Sequence, residues 1–283
     1  MPRETLHVAL GPQRYRVERP WGDLPEGPGR ITDVACDAAG RVYVQFRIDP
    51  TVDAPFPGIV VLSPEGARLA AWGEEVADGH MASLHPDGRV FVVDRDAHEV
   101  VIFAPDGRRL GGLGQRHAPG APFNAPCDIA FAPDGSMVVA DGYGHSLVHR
   151  FGSRGEYLGA FGGPGRRAGE FSTPHAVWVL QDGRILVADR ENNRVQVFTA
   201  EGAHLRDILD LHKPMDVHGG PEGSFYVTDQ VPRLSWYGAD GRLQGRCRPV
   251  LNGAHGMWRD VRSGVIYLAE QTPSRITRLV PVE

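Results

Sequence analysis

A repeat of 40 to 48 residues runs through the whole chain and limits its fold more than any other feature. Each copy has a small or turn residue, a key residue, an apolar run, an Asp-Gly-type turn and a second apolar run. In four copies an aspartate ends the second run, 14 positions after the key residue, and a looser first copy ends at Arg47. The key residues are Asp33, His80, Cys127, His175, Met215 and His255.

Short strands and Gly-rich turns at this period are typical of a β-propeller. Six copies predict an all-β, six-bladed β-propeller with four-stranded antiparallel blades, in one domain over residues 1–283. The predicted blades cover residues 31–73, 79–114, 124–162, 171–209, 212–247 and 253–283. Because the last copy has only three strands, we expect residues 13–22 to supply its fourth strand and close the ring, which leaves no free sheet edge.

Every second key residue is a histidine. Alternate blades of a closed six-bladed ring lie about 120° apart, so three such imidazoles can meet on the axis. Three imidazoles with an open fourth position form a catalytic zinc arrangement. Among 12 histidines a single coincidence with the repeat is ordinary, but three at alternate copies are not. The pattern therefore predicts one divalent transition metal on His80, His175 and His255, with zinc favoured and iron or manganese as alternatives.

Composition narrows the function classes. The net charge of −5 and the absence of a basic run argue against a nucleic-acid partner. No apolar stretch approaches the roughly 20 residues that span a bilayer, so no membrane association is expected. The cysteines are few and lack a CxxC pair, and the N-terminus lacks an apolar signal-peptide core. These features predict a cytoplasmic protein, and they leave its oligomeric state open.

Three segments resemble a known family. They are DGYGHSLVHRF from Asp141, EFSTPHAVWVL from Glu170 and VADRENNRVQVF from Val187. The last is similar to the NHL repeat, and all three resemble the lyase domain of the peptidylglycine amidating enzyme. The resemblance covers blades one to four and six. It implies a six-bladed propeller that cleaves a peptidyl-α-hydroxyglycine into a peptide amide and glyoxylate.

The resemblance also implies roles for individual residues. In the family, three histidines on alternate blades bind a catalytic zinc, which matches the three key histidines here. The family's catalytic tyrosine matches Tyr143, and its substrate-binding arginine matches Arg190. A second family arginine, on the first blade, matches Arg47. Arg95 follows Asp94 as Arg190 follows its own strand-end aspartate, so Arg95 is a further candidate for substrate binding.

Two departures from the family matter for its cofactor and its disulfide. The family's structural calcium uses an aspartate directly after the third zinc histidine, and this chain has Gly256 there. We therefore expect no calcium at the family position. Gly144 stands where the family has a cysteine after its catalytic tyrosine, so the family disulfide is also not expected.

The sequence thus predicts a metal-dependent lyase that cleaves a C–N bond in an α-hydroxyglycine-like (carbinolamide) small molecule with a carboxylate or amide. Tyr143 is expected to act as base, its phenol pKa lowered from about 10 by a neighbouring metal or arginine. Arg190 and Arg47 are expected to hold the substrate's carboxylate or carbonyl. Two alternatives remain, which are a lactonase-like propeller hydrolase and a non-catalytic NHL interaction scaffold.

Overall fold

The computed structural model describes residues 5–48, 55–76, 78–250 and 252–282. These residues form six antiparallel sheets around one axis, which confirms the six-bladed β-propeller. The first three blades consist of Arg30–Cys36, Val42–Arg47, Ile59–Leu62 and Arg68–Trp72; Gly79–Leu84, Val90–Asp94, Glu99–Phe103 and Arg109–Leu113; and Asp128–Phe131, Met137–Asp141, Leu147–Phe151 and Tyr157–Gly162. The next two consist of Pro174–Val179, Ile185–Asp189, Arg194–Phe198 and His204–Ile208; and Pro214–Gly219, Phe225–Asp229, Arg233–Tyr237 and Leu243–Cys247. Short 3₁₀ turns cover Arg190–Asn192 and Pro221–Gly223.

The sixth sheet contains both ends of the described chain. Its strand order is His7–Leu10, Gln13–Trp21, Ser274–Val282, Ile266–Gln271 and Gly256–Arg259. It has five strands where four were predicted, because a hairpin at Gly11 (φ +62°) adds an outermost strand. That hairpin lies against the outer strand of the fifth blade. A Cβ on Gly245 would stand 2.0 Å from the Gly11 nitrogen, so the close approach requires glycine there.

The apolar core is divided into six clusters, each formed mainly by two neighbouring blades. In the fourth blade, for example, Val187 packs toward the third blade and Leu186 toward the fifth. This follows from strand geometry, since successive side chains point to opposite faces of a sheet and each face meets a different neighbour. Buried polar side chains, among them His80, His175 and His255, lie nearest the axis.

Leu10 tests how strongly the N-terminal hairpin is tied to the ring. Its side chain is buried in the cluster between the fifth and sixth blades, with Leu268 and Leu279. We expect Leu10→Ala to lower the free energy of unfolding by about 2–5 kcal/mol, the usual effect of such a core truncation. Denaturant unfolding would measure it, with the exposed Leu69→Ala as control. An equal, small effect of both substitutions would contradict a stabilising role for the hairpin.

One sequence alignment needs correction. Asp33 has the pairing register of Asp128, so Thr32 and not Asp33 occupies the key position of the first blade. The prediction of Asp33 is wrong because the first copy was aligned with Arg47 as its strand-end residue. Arg47 lies one residue beyond the position that holds the strand-end aspartate in the other copies. The corrected register makes Arg47 the equivalent of Arg95.

No helix in the described part of the chain is long and apolar enough to cross a membrane.

Candidate metal centre

The three key histidines meet on the axis. The ring centroids lie 4.8 Å apart for His80 and His175, 4.9 Å for His80 and His255, and 5.0 Å for His175 and His255. One ligand nitrogen from each ring lies within 4.8 Å of the other two. All three side chains are buried. They are far apart in sequence, and closure of the ring brings them together.

Hydrogen bonds fix the orientation of each imidazole. The Nδ1 atoms of His80, His175 and His255 donate to the backbone carbonyls of Cys127, Met215 and Thr32, at 2.8, 2.7 and 2.8 Å. With Nδ1 protonated, each Nε2 carries the lone pair that can bind a metal. The buried Nε2 of His175 has no hydrogen-bond partner among the described residues. Such an orphaned acceptor is what a metal site without its ion should show.

Electrostatics also favour neutral imidazoles. Burial lowers the pKa of His80 and His175 well below the usual range, and it lowers that of His255 to about 4. The rings also depress one another, because a charge on one disfavours a charge on its neighbours. Neutral imidazole is the form that coordinates a transition metal, so these residues fit a metal ion bound by three histidines.

Aspartates make the complementary bonds between blades. Asp33, Asp128 and Asp216 accept from the backbone N–H groups of Ala82, Val177 and Met257 on the next blade, at 2.9, 2.8 and 2.6 Å. We call these three bonds and the three histidine–carbonyl bonds the axial ring of hydrogen bonds. It connects all six blade junctions, by aspartate and by histidine in turn. Burial raises the pKa of each aspartate, that of Asp128 to about 7.

Tyr143 lies directly beside the histidines. Its hydroxyl contacts His80 Nε2 at 3.2 Å and accepts a hydrogen bond from Arg190 Nη1 at 3.0 Å. The guanidinium carbons of Arg95 and Arg190 lie 5.1 and 5.3 Å from its ring centroid. Burial nevertheless raises the pKa of Tyr143, and the two arginines oppose that rise only in part. The two arginines alone therefore do not lower this pKa below its usual value.

Three arginines occupy equivalent positions at the ends of the second strands of blades one, two and four: Arg47 is the last strand residue, and Arg95 and Arg190 directly follow theirs. Arg47 and Arg95 both pair with Asp78, the latter at 2.8 Å from Nε to Oδ2. Arg190 pairs with Glu191 at 3.0 Å. Asp78 is a site residue that sequence reasoning missed, since only its position two residues before His80 could have indicated it. Burial raises the pKa of Asp78 to about 6 against the pull of the two arginines.

A cleft of about 310 Å³ opens beside the histidines on the opposite side of the axis. It is lined by Met215, Gln230, Asn252, Gly253, Ala254, His255, Gln271 and Thr272. None of the arginines near Tyr143 lines it. The candidate centre therefore has arginines on one side, from blades one, two and four, and an amide-rich cleft between blades five and six.

Gly256 and Gly144, the two positions at which the sequence departs from the family, are both tightly enclosed in the structure. A Cβ on Gly256 would stand 2.0 Å from Asp33 Oδ1, so the carboxylate of Asp33 fills the space beside that glycine. A Cβ on Gly144 would stand 2.2 Å from the Asn124 carbonyl oxygen. The three cysteines, Cys36, Cys127 and Cys247, are free thiols. Cys127 takes part in the centre through its backbone carbonyl.

Comparisons with known proteins agree with this architecture. Residues 171–198 match the NHL repeat family. The peptidyl-glycine alpha-amidating monooxygenase A of Xenopus laevis is 30% identical over 228 residues, which cover 75% of this chain and 24% of that protein. The peptidyl-alpha-hydroxyglycine alpha-amidating lyase 1 of Drosophila melanogaster is 28% identical over 232 residues, covering 70% of this chain and 43% of that protein. The chain thus spans about a quarter to a half of these relatives.

A solved streptogramin B lyase structure superposes with a TM-score of 0.66 at 11% identity, covering 97% of this chain and 100% of that one. At that identity the likeness concerns the fold. Fold and axial site together define a six-bladed propeller with a buried three-histidine centre. The chain is an NHL-repeat β-propeller that resembles the peptidyl-α-hydroxyglycine α-amidating lyase family.

Proposed function

We propose that this protein is a metal-dependent lyase that cleaves the C–N bond of an α-hydroxyglycine-like small molecule. The observation that carries the proposal is the contact of Tyr143 with both the histidine centre and Arg190. At this contact, the histidines that would bind the metal lie beside a phenol that could transfer a proton and a guanidinium that could bind an anion. The similarity to a protein named as an amidating lyase supports the same chemistry.

His80, His175 and His255 would hold the metal through their Nε2 atoms. A divalent ion bound there would supply Lewis acidity toward the substrate's hydroxyl oxygen. The carbonyl partners of the three Nδ1 atoms keep the rings in place before any ion binds. Such outer hydrogen bonds orient ligands and sustain affinity.

Tyr143 would move the proton. The substrate's hydroxyl loses its proton to the phenol oxygen, the O–H electron pair forms the C=O bond of the aldehyde, and the C–N bond breaks with its electrons on nitrogen. The phenol's own proton passes to that nitrogen and completes the amide. Because the phenol oxygen accepts one proton as the phenol gives up another, this relay needs no free phenolate, unlike the simple base predicted from the sequence.

The arginines would hold the substrate's carboxylate. Arg190 donates to Tyr143 through Nη1 and to Glu191 through Nε, which fixes the plane of its guanidinium. Arg47 and Arg95 share the carboxylate of Asp78, and Arg95 also pairs with Asp96 at 2.9 Å, so acidic partners orient both guanidinium groups. A carboxylate beside Tyr143 would meet charge-assisted hydrogen bonds there. The acyl part of the substrate would lie in the cleft across the axis.

The direct test is release of glyoxylate from α-hydroxyhippurate by protein loaded with Zn²⁺. We expect release that depends on the metal and is abolished by chelation. Hydrolysis of a lactone without glyoxylate release would instead favour a propeller hydrolase. Failure of the metal-loaded protein on both substrates would contradict the proposed class of substrate.

Arg190→Ala should raise KM for α-hydroxyhippurate about tenfold or more, since hydrogen bonds to charged groups contribute about 1.5–3 kcal/mol. Steady-state kinetics with α-hydroxyhippurate and with its amide derivative would measure this, and KM for the amide derivative should rise much less. Arg150→Ala is the control, because Arg150 binds the backbone carbonyl of Ala200 away from the axis. An unchanged KM in Arg190→Ala would rule out carboxylate binding by this residue.

A further inference from the structure

A buried carboxylate lies at or next to the end of the second strand in five blades, and in four of them an arginine contacts it. Asp94, Asp189, Asp229 and Glu270 are contacted by Arg116, Arg194, Arg233 and Arg275. A buried carboxylate is costly unless a positive charge or sufficient hydrogen bonds compensate it. The arginine is therefore the usual neutralising group of this fold.

The third blade departs from that pattern. Asp141 pairs across its hairpin with Leu147, as Asp189 pairs with Arg194, so leucine stands where the arginine would be. His145 and His149 flank that leucine at the positions that Asn192 and Gln196 hold beside Arg194. No arginine contacts Asp141 among the described residues, although its side chain is fully buried.

The two histidines converge on this carboxylate. His145 Nδ1 lies 3.0 Å and His149 Nε2 lies 3.1 Å from Asp141 Oδ2, and the three potential ligand atoms lie within 4.8 Å of one another. The Asn124 backbone N–H also reaches Oδ2, at 2.8 Å. The other oxygen, Oδ1, is buried and has no partner among the described residues.

We propose that Asp141, His145 and His149 form a second site for a divalent transition metal, distinct from the axial centre. Two imidazoles and one carboxylate are a common zinc ligand set. The ion would supply the positive charge that arginine supplies in the other blades. It would enter past His145, whose side chain is 32% exposed, and water would fill the remaining position.

The surroundings suit coordination. His149 Nδ1 lies 3.1 Å from the Tyr157 hydroxyl. When Nδ1–H donates to that oxygen, the Nε2 lone pair faces Asp141 Oδ2 at 3.1 Å, and a metal ion bound by both atoms would resolve this contact between two acceptors. Phe123 packs edge-on against the His149 ring, with centroids 5.2 Å apart, and holds its orientation. The alternative arrangement, in which Tyr157 donates to Nδ1 and Nε2–H donates to Asp141, needs no ion and is what the experiment must distinguish.

The test counts metal ions. Protein purified without a His tag would be stripped with chelator, titrated with Co²⁺ or Zn²⁺, and analysed for bound metal and for the d–d absorption of Co²⁺. We expect two ions per chain in the wild type. The matched variant His145→Asn, Leu147→Arg, His149→Gln copies the fourth blade into the third. It supplies the missing arginine and should bind one ion.

Further variants separate the two sites. His175→Ala should keep one ion, with the spectrum of the third-blade site, and the single variant His145→Asn provides a milder test should the triple variant fold poorly. One ion in the wild type that is lost in His175→Ala would overturn the proposal, as would two ions in the folded triple variant. One ion that survives His175→Ala but not the triple variant would support the third-blade site and contradict the axial one.

Discussion

His175→Ala should remove the axial metal and, with it, almost all activity on α-hydroxyhippurate. The substitution deletes one of three ligands and leaves the buried Met215 carbonyl without its 2.7 Å partner. We expect axial metal affinity to fall by more than about 100-fold, since loss of an outer hydrogen bond to a ligand alone costs 10–100-fold. Activity should fall by at least about 10²–10³-fold, the effect of losing one electrostatic contact to a transition state.

His218→Ala is the matched control. His218 is also a buried inner-strand histidine whose Nδ1 donates to a backbone carbonyl, that of Gly219 at 2.7 Å, but it packs on Trp178 outside the axial centre. Its loss should lower stability while axial metal content stays unchanged. Calorimetric titration with Zn²⁺ and thermal melting would separate the two effects. Full metal affinity at the axis in folded His175→Ala would refute the three-histidine site.

The second large effect concerns the proton. Tyr143→Phe should lower kcat by about 10²–10⁴-fold, the range for removal of a positioned acid–base group. The axial metal should be retained, because the histidine ligands keep their carbonyl partners. The variant removes only the hydroxyl that contacts His80 and Arg190.

Tyr237→Phe is the control for the general effect of removing a tyrosine hydroxyl. Tyr237 also accepts a hydrogen bond from an arginine, Arg246 at 3.2 Å, but in the fifth blade away from the histidines. Its variant should have unchanged kcat and modestly lower stability. Metal content and kinetics measured on the same preparations would show whether Tyr143→Phe loses turnover while it keeps the axial metal. Wild-type turnover by metal-loaded Tyr143→Phe would exclude the proton relay.

Much of the architecture could be predicted because it repeats. The period fixed the number of blades, and the alternation at the key positions located His80, His175 and His255 before any distance was known. The first-blade error has the same origin, since Phe46 replaces the strand-end aspartate there and the alignment moved to Arg47. The additional strand at His7–Leu10 has no counterpart in the repeat, so periodicity could not indicate it.

Contacts between blades were less accessible to sequence reasoning. Asp78 lies in a loop, and its pairing with Arg47 depends on how two blades meet. The pKa of Tyr143 reflects burial, which outweighs the arginines and which a motif does not reveal. His145 had no place in the repeat of key residues. Its partner is found only when the strand pairing of the third and fourth blades is compared.

The axial ring of hydrogen bonds has a consequence for how such a protein can be rebuilt. Aspartate junctions and histidine junctions alternate, so the smallest cassette that contains one of each is two consecutive blades. Adding or removing a single blade would bring together two blades of the same kind and displace an imidazole from the three-histidine centre. We therefore expect viable duplications, deletions and chimeras of this propeller to exchange blades in pairs, with the cut points placed between cassettes.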